Sequence, residues 1–266
     1  MTLSEFYLII TYVMAGVFGL CIGSFLNVVI YRVPLGMSVS HPASHCPNCK
    51  TPIKWYDNIP VISYTLLGAK CRSCKVHIPF RYTAVEISNA LLWLFSVKVF
   101  YPTGLARVMI SAIVCSVLLC VFFIDIEHLL IPDRFQVILG VLALTVTVLD
   151  TVSDHTAWIP HVIGGVAGFA VTYLLGKLCT RMAGEEALGG GDIKLCGVMG
   201  LFLGWQGLIL AMLIASLGGC AVIFGSKLAG KAEKRQYPFA PFLAAGFAAA
   251  MFFGERIISA YISLFI

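Results

Sequence analysis

The sequence predicts an all-α polytopic membrane protein with about eight transmembrane helices and a small polar module between helices 1 and 2. Three observations carry this prediction. Apolar residues make up 59% of the 266 and charged residues only 12%, with a mean hydropathy of +0.94, which excludes an ordinary soluble globule. The apolar residues gather into runs near the roughly 20 needed to cross a bilayer as a helix. The one long polar stretch, 31–83, contains two Cys-x-x-Cys pairs.

The runs follow in order. Residues 6–30 carry no charge and form the first span. Only Glu5 stands before it and Arg32 follows closely, so it lacks the basic flank of a secretory signal and is expected to stay in place as a span. The second, 84–100, includes Glu86 and Lys98; the third, 108–124, is clean; the fourth, 135–149, is short. Spans at 158–176, 195–205, 208–226 and 239–253, the last running on toward Ile266, complete the count. The sixth reaches only about 16 Å at 1.5 Å per residue, roughly half the hydrocarbon core.

Charge sets the orientation. If the spans alternate, one side collects Arg32, Lys50, Lys54, Lys70, Arg72, Lys75, Arg81, Arg134, Lys177, Arg181, Lys194, Lys227, Lys231, Lys234 and Arg235. Only Lys98, Arg107 and Arg256 fall elsewhere. The positive-inside rule makes the crowded side cytoplasmic and both termini periplasmic. A basic face beside anionic lipid then accounts for the net charge of +5, and no nucleic acid is needed.

Three parts follow: a first span in 1–30, a cytoplasmic module over 31–83 and a membrane domain over 84–266. The module holds Cys46-Pro47-Asn48-Cys49 and Cys71-Arg72-Ser73-Cys74, separated by 21 residues, slightly more than a usual ribbon has. Each pair puts two thiols on one turn, and two pairs close a zinc-ribbon-like tetrahedral site for structural Zn2+. Two disulfides are the alternative, disfavoured on a reducing side. So small a module builds little core, and a metal would supply the missing stability. His41, His45 and His77 flank the cluster as surface residues. Cys21, Cys115, Cys120, Cys179, Cys196 and Cys220 lie in or beside spans and read as small apolar residues.

Two acids stand out. Asp125 opens Asp125-Ile126-Glu127-His128-Leu129-Leu130-Ile131-Pro132-Asp133, and Asp192 follows Gly189-Gly190-Gly191, with Glu185 and Glu186 before it and Lys194 after. Helix capping would explain Asp133 and Asp192. It leaves Asp125 and Glu127 at membrane depth, where an acid needs water, a partner or a proton. The short sixth span points to chemistry. To cross, it must begin near Asp192 with the glycine turn dipping into the membrane, which is tolerated only where backbone is buried or lines water. Both acids would then line one wet recess open to the cytoplasm and share a proton. Such a pair can activate water while polarising a carbonyl. No Gly-x-Ser-x-Gly or His-Glu-x-x-His pattern competes.

At these residues the chain resembles the type IV prepilin leader peptidases, bifunctional peptidase/N-methyltransferases of type IV pilus and type II secretion systems. Gly23-Ser24-Phe25-Leu26-Asn27-Val28-Val29-Ile30-Tyr31-Arg32 with Pro34 is similar to the family's N-terminal signature. Both cysteine pairs, Asn58-Ile59-Pro60-Val61-Ile62-Ser63-Tyr64, Arg81-Tyr82 through Glu86, the two acid motifs and Pro238-Phe239-Ala240-Pro241-Phe242 follow in family order. Thr83 stands where the family usually has Pro, and Ala240 where it usually has Gly.

The resemblance implies that 84–266 is a membrane aspartic peptidase domain with Asp125 and Asp192 as its catalytic pair. It implies cleavage of a basic prepilin or pseudopilin leader after Gly on the cytoplasmic side of the bacterial inner membrane. It also implies methylation of the new N-terminal residue, typically Phe, with S-adenosylmethionine as donor. No glycine-rich nucleotide fingerprint is present; Glu86 and the 23–32 stretch are the candidates for the donor's site. A leader peptidase without methylation and a proton-coupled transporter are the alternative readings.

Overall fold

The computed structural model describes residues 2–183, 188–229 and 237–264. Glu185, Glu186, Lys231, Lys234 and Arg235, named above, lie outside the described residues. The chain is all-helical: α1 (Leu3–Arg32), α2 (Ile62–Leu66), α3 (Arg81–Phe100), α4 (Leu105–His128), α5 (Asp133–Ser153), α6 (Trp158–Ala183), α7 (Gly190–Leu228) and α8 (Ala240–Ile262). Among the described residues, seven are long and apolar enough to cross a membrane, all but α2. The chain is a multi-pass membrane protein. It divides into two compact units, Met1–Cys120 and Val121–Ile266.

In the first unit α1 packs along α3. The approach is close because Gly19 and Gly23 face α3: a Cβ at Gly19 would lie 2.7 Å from Ala90 and one at Gly23 2.8 Å from Glu86. Small residues four apart let helix backbones meet this way in lipid. A buried polar chain ties the contact. Asn89 donates to the Gly19 carbonyl at 2.7 Å, Ser116 donates to Asn89 Oδ1 at 2.7 Å, and Trp93 Nε1 donates to the Ser116 hydroxyl at 2.9 Å. Ala15, Trp93, Val97, Val108 and Ala112 form the apolar core around it.

In the second unit α7 packs against α5, α6 and α8. Two expected spans, 195–205 and 208–226, turn out to be the legs of α7, which breaks at Gly204 (φ 72, ψ 171). The legs fold back on each other, since Cys196 Sγ lies 3.6 Å from Met212 Sδ although 16 residues separate them. Gly164 and Gly200 sit backbone to backbone where α6 meets the hairpin. α5 shows what the outer helices do: Phe135, Leu139, Ala143 and Val146 are buried, whereas Val137, Val141, Leu144 and Val148 are exposed, a lipid-facing stripe at helical spacing.

Two expectations need correction. The fourth span is not short: α5 has 21 residues, because polar ends such as Asp133, Arg134 and Asp150 continue the helix past the apolar run. The three glycines are not a turn either. Only Gly189 is extended (φ −66, ψ 144), and the helix begins at Gly190.

Candidate functional site

The module in 31–83 is built from one backbone device used twice. In the first copy Cys46 N–H donates to Thr51 O at 3.0 Å and Lys50 N–H to Cys46 O at 2.9 Å. In the second, Cys71 N–H donates to Val76 O at 2.9 Å and Lys75 N–H to Cys71 O at 3.1 Å. Each copy is closed by an isolated bridge, His45 with Pro52 and Lys70 with His77, and each places a lysine at positive φ after its second cysteine (57° and 59°).

The two turns bring Cys46, Cys49, Cys71 and Cys74 together as free thiols, every sulfur within 4.8 Å of the others. Cys46 and Cys74 are 3.8 Å apart. Zn–S bonds of about 2.3 Å set tetrahedral S···S edges of about 3.8 Å, so the group could bind a metal and its donor chemistry fits zinc. The Thr51 hydroxyl and N–H push Cys49 down to about 6, and the backbone N–H groups of Cys74 and Ser73 lower Cys71, which favours the thiolate at these two positions. His41 and His45 instead bond locally, to Ser40 and Ala43. Arg72 ties the second turn to the Trp55–Asn58 turn by two bonds to Asp57, 2.8 and 2.6 Å.

The acids belong to the second unit. Asp125 lies in the last turn of α4 and is buried. Its Oδ2 accepts the Ala240 N–H, the first of α8, at 3.1 Å, so a helix N-terminus faces the carboxylate. Asp192 is the third helical residue of α7, not its N-cap, which is Gly189. Its carboxylate reaches back to the Gly189 N–H, as an acid in a capping box does. The other oxygen, Oδ1, is buried with no partner among the described residues. Asp192 lies within electrostatic reach of the Asp125 carboxylate.

What surrounds them was only partly foreseen. Gln136, in the first turn of α5, donates to the Gly191 carbonyl at 3.1 Å while its own Oε1 is buried with no partner among the described residues. Gly191 packs on Ile131, which a Cβ would approach to 3.0 Å. Asp133 does not cap α5, whose N-cap is Pro132; it accepts from Lys194 Nζ at 2.6 Å. Glu127 is exposed. Ala240 contributes only backbone, which no side-chain pattern could have revealed.

The fold and the four-cysteine group are those of a multi-pass membrane protein with a candidate metal-binding module. The family model for the Bacterial Peptidase A24 N-terminal domain matches residues 17–100, and that for the Type IV leader peptidase family matches residues 112–224. A "Prepilin leader peptidase/N-methyltransferase" of Burkholderia pseudomallei (strain 1026b) is 33% identical, over 90% of this chain and 84% of the relative. Proteins with the same description from Bacillus subtilis (strain 168) and Aeromonas hydrophila are 34% and 32% identical, over 93% and 94% of this chain and 96% and 93% of the relatives. No solved structure matches. The chain belongs to the prepilin leader peptidase/N-methyltransferase family.

Proposed function

We propose that Asp125 and Asp192 cleave a basic prepilin or pseudopilin leader after Gly on the cytoplasmic face of the bacterial inner membrane. The observation that carries this reading is two half-restrained carboxylates, Asp125 held by the Ala240 N–H and Asp192, within its electrostatic reach, keeping a buried oxygen with no partner among the described residues. Two such acids hold one proton between them. The ionised member takes a proton from water, whose oxygen bonds to the scissile carbonyl carbon, and the protonated member gives its proton to the carbonyl oxygen. The diol intermediate then collapses: the acid that took the water proton gives it to the leaving nitrogen, the C–N bond breaks, and a hydroxyl of the diol returns its proton to the other acid as the new carboxyl forms. The cytoplasmic placement follows from the basic residues on the loops at that end.

A second activity, methylation of the released N-terminal residue, is supported by the description that the relatives carry. S-adenosylmethionine, when bound, would supply the methyl from its sulfonium to the new amine, which would give up a proton to solvent. The four thiolates hold Zn2+ as a closed structural site, with no open position for catalysis.

Asp125→Asn and Asp192→Asn each are expected to lower prepilin cleavage by about 10²-fold or more, read as leader release by the purified enzyme. Full processing by either variant would sink the dyad. The mass of the mature pilin N-terminus separates the two activities, because an unmethylated product rejects the second.

A further inference from the structure

A cavity in the first unit takes no part in the chemistry above. It holds about 380 Å³ between the latter half of α1 and the segments 39–44 and 58–60, within the span of about 300–1,000 Å³ usual for small-molecule sites. Its α1 wall is a stripe at helical spacing, Cys21, Phe25, Val28 and Arg32, with Ser24 beside it. This stripe leaves the Gly19 and Gly23 face free to pack on α3.

Three features show that the walls are built. Arg32 is buried and clamps the loop opposite, donating to the carbonyls of Ser38 at 3.0 Å and Pro42 at 2.7 Å. Glu86, buried on α3, bonds the Ser24 hydroxyl and accepts the Val61 N–H at 2.8 Å. Val61 is held at φ 61, a conformation a β-branched residue avoids unless its surroundings impose it, and the Pro60 before it lines the cavity. A guanidinium on α1 and a carboxylate on α3 are thus fixed beside the cavity, and Ser24, which Glu86 bonds, lies eight residues before Arg32 on α1, or about 12 Å. An aromatic ring and several hydroxyls lie along the same walls.

We infer that this cavity holds the methyl donor, S-adenosylmethionine; the assignment rests on the methyltransferase reading above. The ligand carries a carboxylate, a sulfonium cation and a flat base in one chain. Arg32 complements the carboxylate, the Glu86 field behind Ser24 favours the cation, and Phe25 offers a face to the base. Asn58 and Ser44 supply polar partners for ribose and ring nitrogens.

The test uses the full-length enzyme in detergent. S-adenosylmethionine is expected to slow maleimide modification of Cys21, read by mass spectrometry, and to leave Cys179 and Cys220, exposed elsewhere, at their ligand-free rates. Val28→Trp and Ser44→Leu fill the cavity and are expected to weaken equilibrium binding of tritiated S-adenosylmethionine at least tenfold, with helical circular dichroism unchanged. Bound donor with Cys21 unprotected, or wild-type affinity in both filled variants, overturns the cavity assignment even where pilin N-termini are methylated. A wild-type enzyme that neither binds the donor nor methylates pilin overturns the methyltransferase reading instead. If Val28→Trp loses helicity, Ser44→Leu and the Cys21 protection decide.

Discussion

Gln136 sits in the first turn of α5 and donates to the carbonyl of Gly191, one residue before Asp192. Gln136→Leu removes this one hydrogen bond across to the glycine segment, worth about 0.5–1.5 kcal/mol. The glycine segment then loses its restraint, and leader cleavage is expected to fall at least tenfold in kcat with little change in KM. Unchanged kcat in steady-state cleavage assays would remove Gln136 from the site. The two acids were legible in the sequence because an ionisable group beside an apolar run is costly and so demands a reason. Gln136 was not. A neutral amide at the edge of an apolar helix reads as surface, and its partner lies 55 residues away. The four cysteines were legible for the opposite reason, since their spacing alone fixes the geometry that a metal requires.

At the scale of elements, α7 depends on one residue. Gly204 has φ 72 and ψ 171, a region that residues with a Cβ enter only at a cost on the order of 1–3 kcal/mol. Gly204→Ala is therefore expected to lower the melting temperature of the purified enzyme, and a melting temperature equal to wild type would argue against the hairpin. The sequence marked one short and one full-length run here but could not show that they are legs of one folded helix, because the contact between Cys196 and Met212 is tertiary. It also shortened α5, since hydropathy ends where polar side chains begin while backbone hydrogen bonding continues. In the cysteine module the Arg72 guanidinium holds Asp57 below the usual carboxylate range. The stabilisation this supplies is present above the unfolded Asp value of about 3.9 and is lost as pH falls through the lower folded value. Asp57→Asn should thus lower the melting temperature at pH 7, and the gap to wild type should close on acidification below about pH 4. A gap that persists would show that the pair acts through packing and not charge.

For the whole molecule the charge pattern makes a parity prediction. Reporter fusions at the C-terminus and in the 154–157 connection should give periplasmic signals, and fusions in 129–132 cytoplasmic ones; the reverse pattern would invert the proposed orientation and move both acids to the other face. Each unit holds one part of the proposed chemistry, the cysteine group and cavity in Met1–Cys120 and the acids in Val121–Ile266. Charge asymmetry and run lengths made this layout readable, whereas the cavity walls, drawn from α1 and two loop segments, were not readable from any one motif.

The hairpin at Gly204 also bears on how the chain enters the membrane during synthesis. The leg 190–203 is about 21 Å long, too short to partition across a bilayer of about 30 Å, and it begins with a carboxylate. The leg 205–228 is long and apolar. The first leg therefore has no stable transmembrane state until the second emerges, and the two must insert together as a pair. On the proposed reading Asp192 would reach its depth late, drawn in by residues made after it, and the nascent chain would carry no assembled dyad while α1 to α6 are still being laid down.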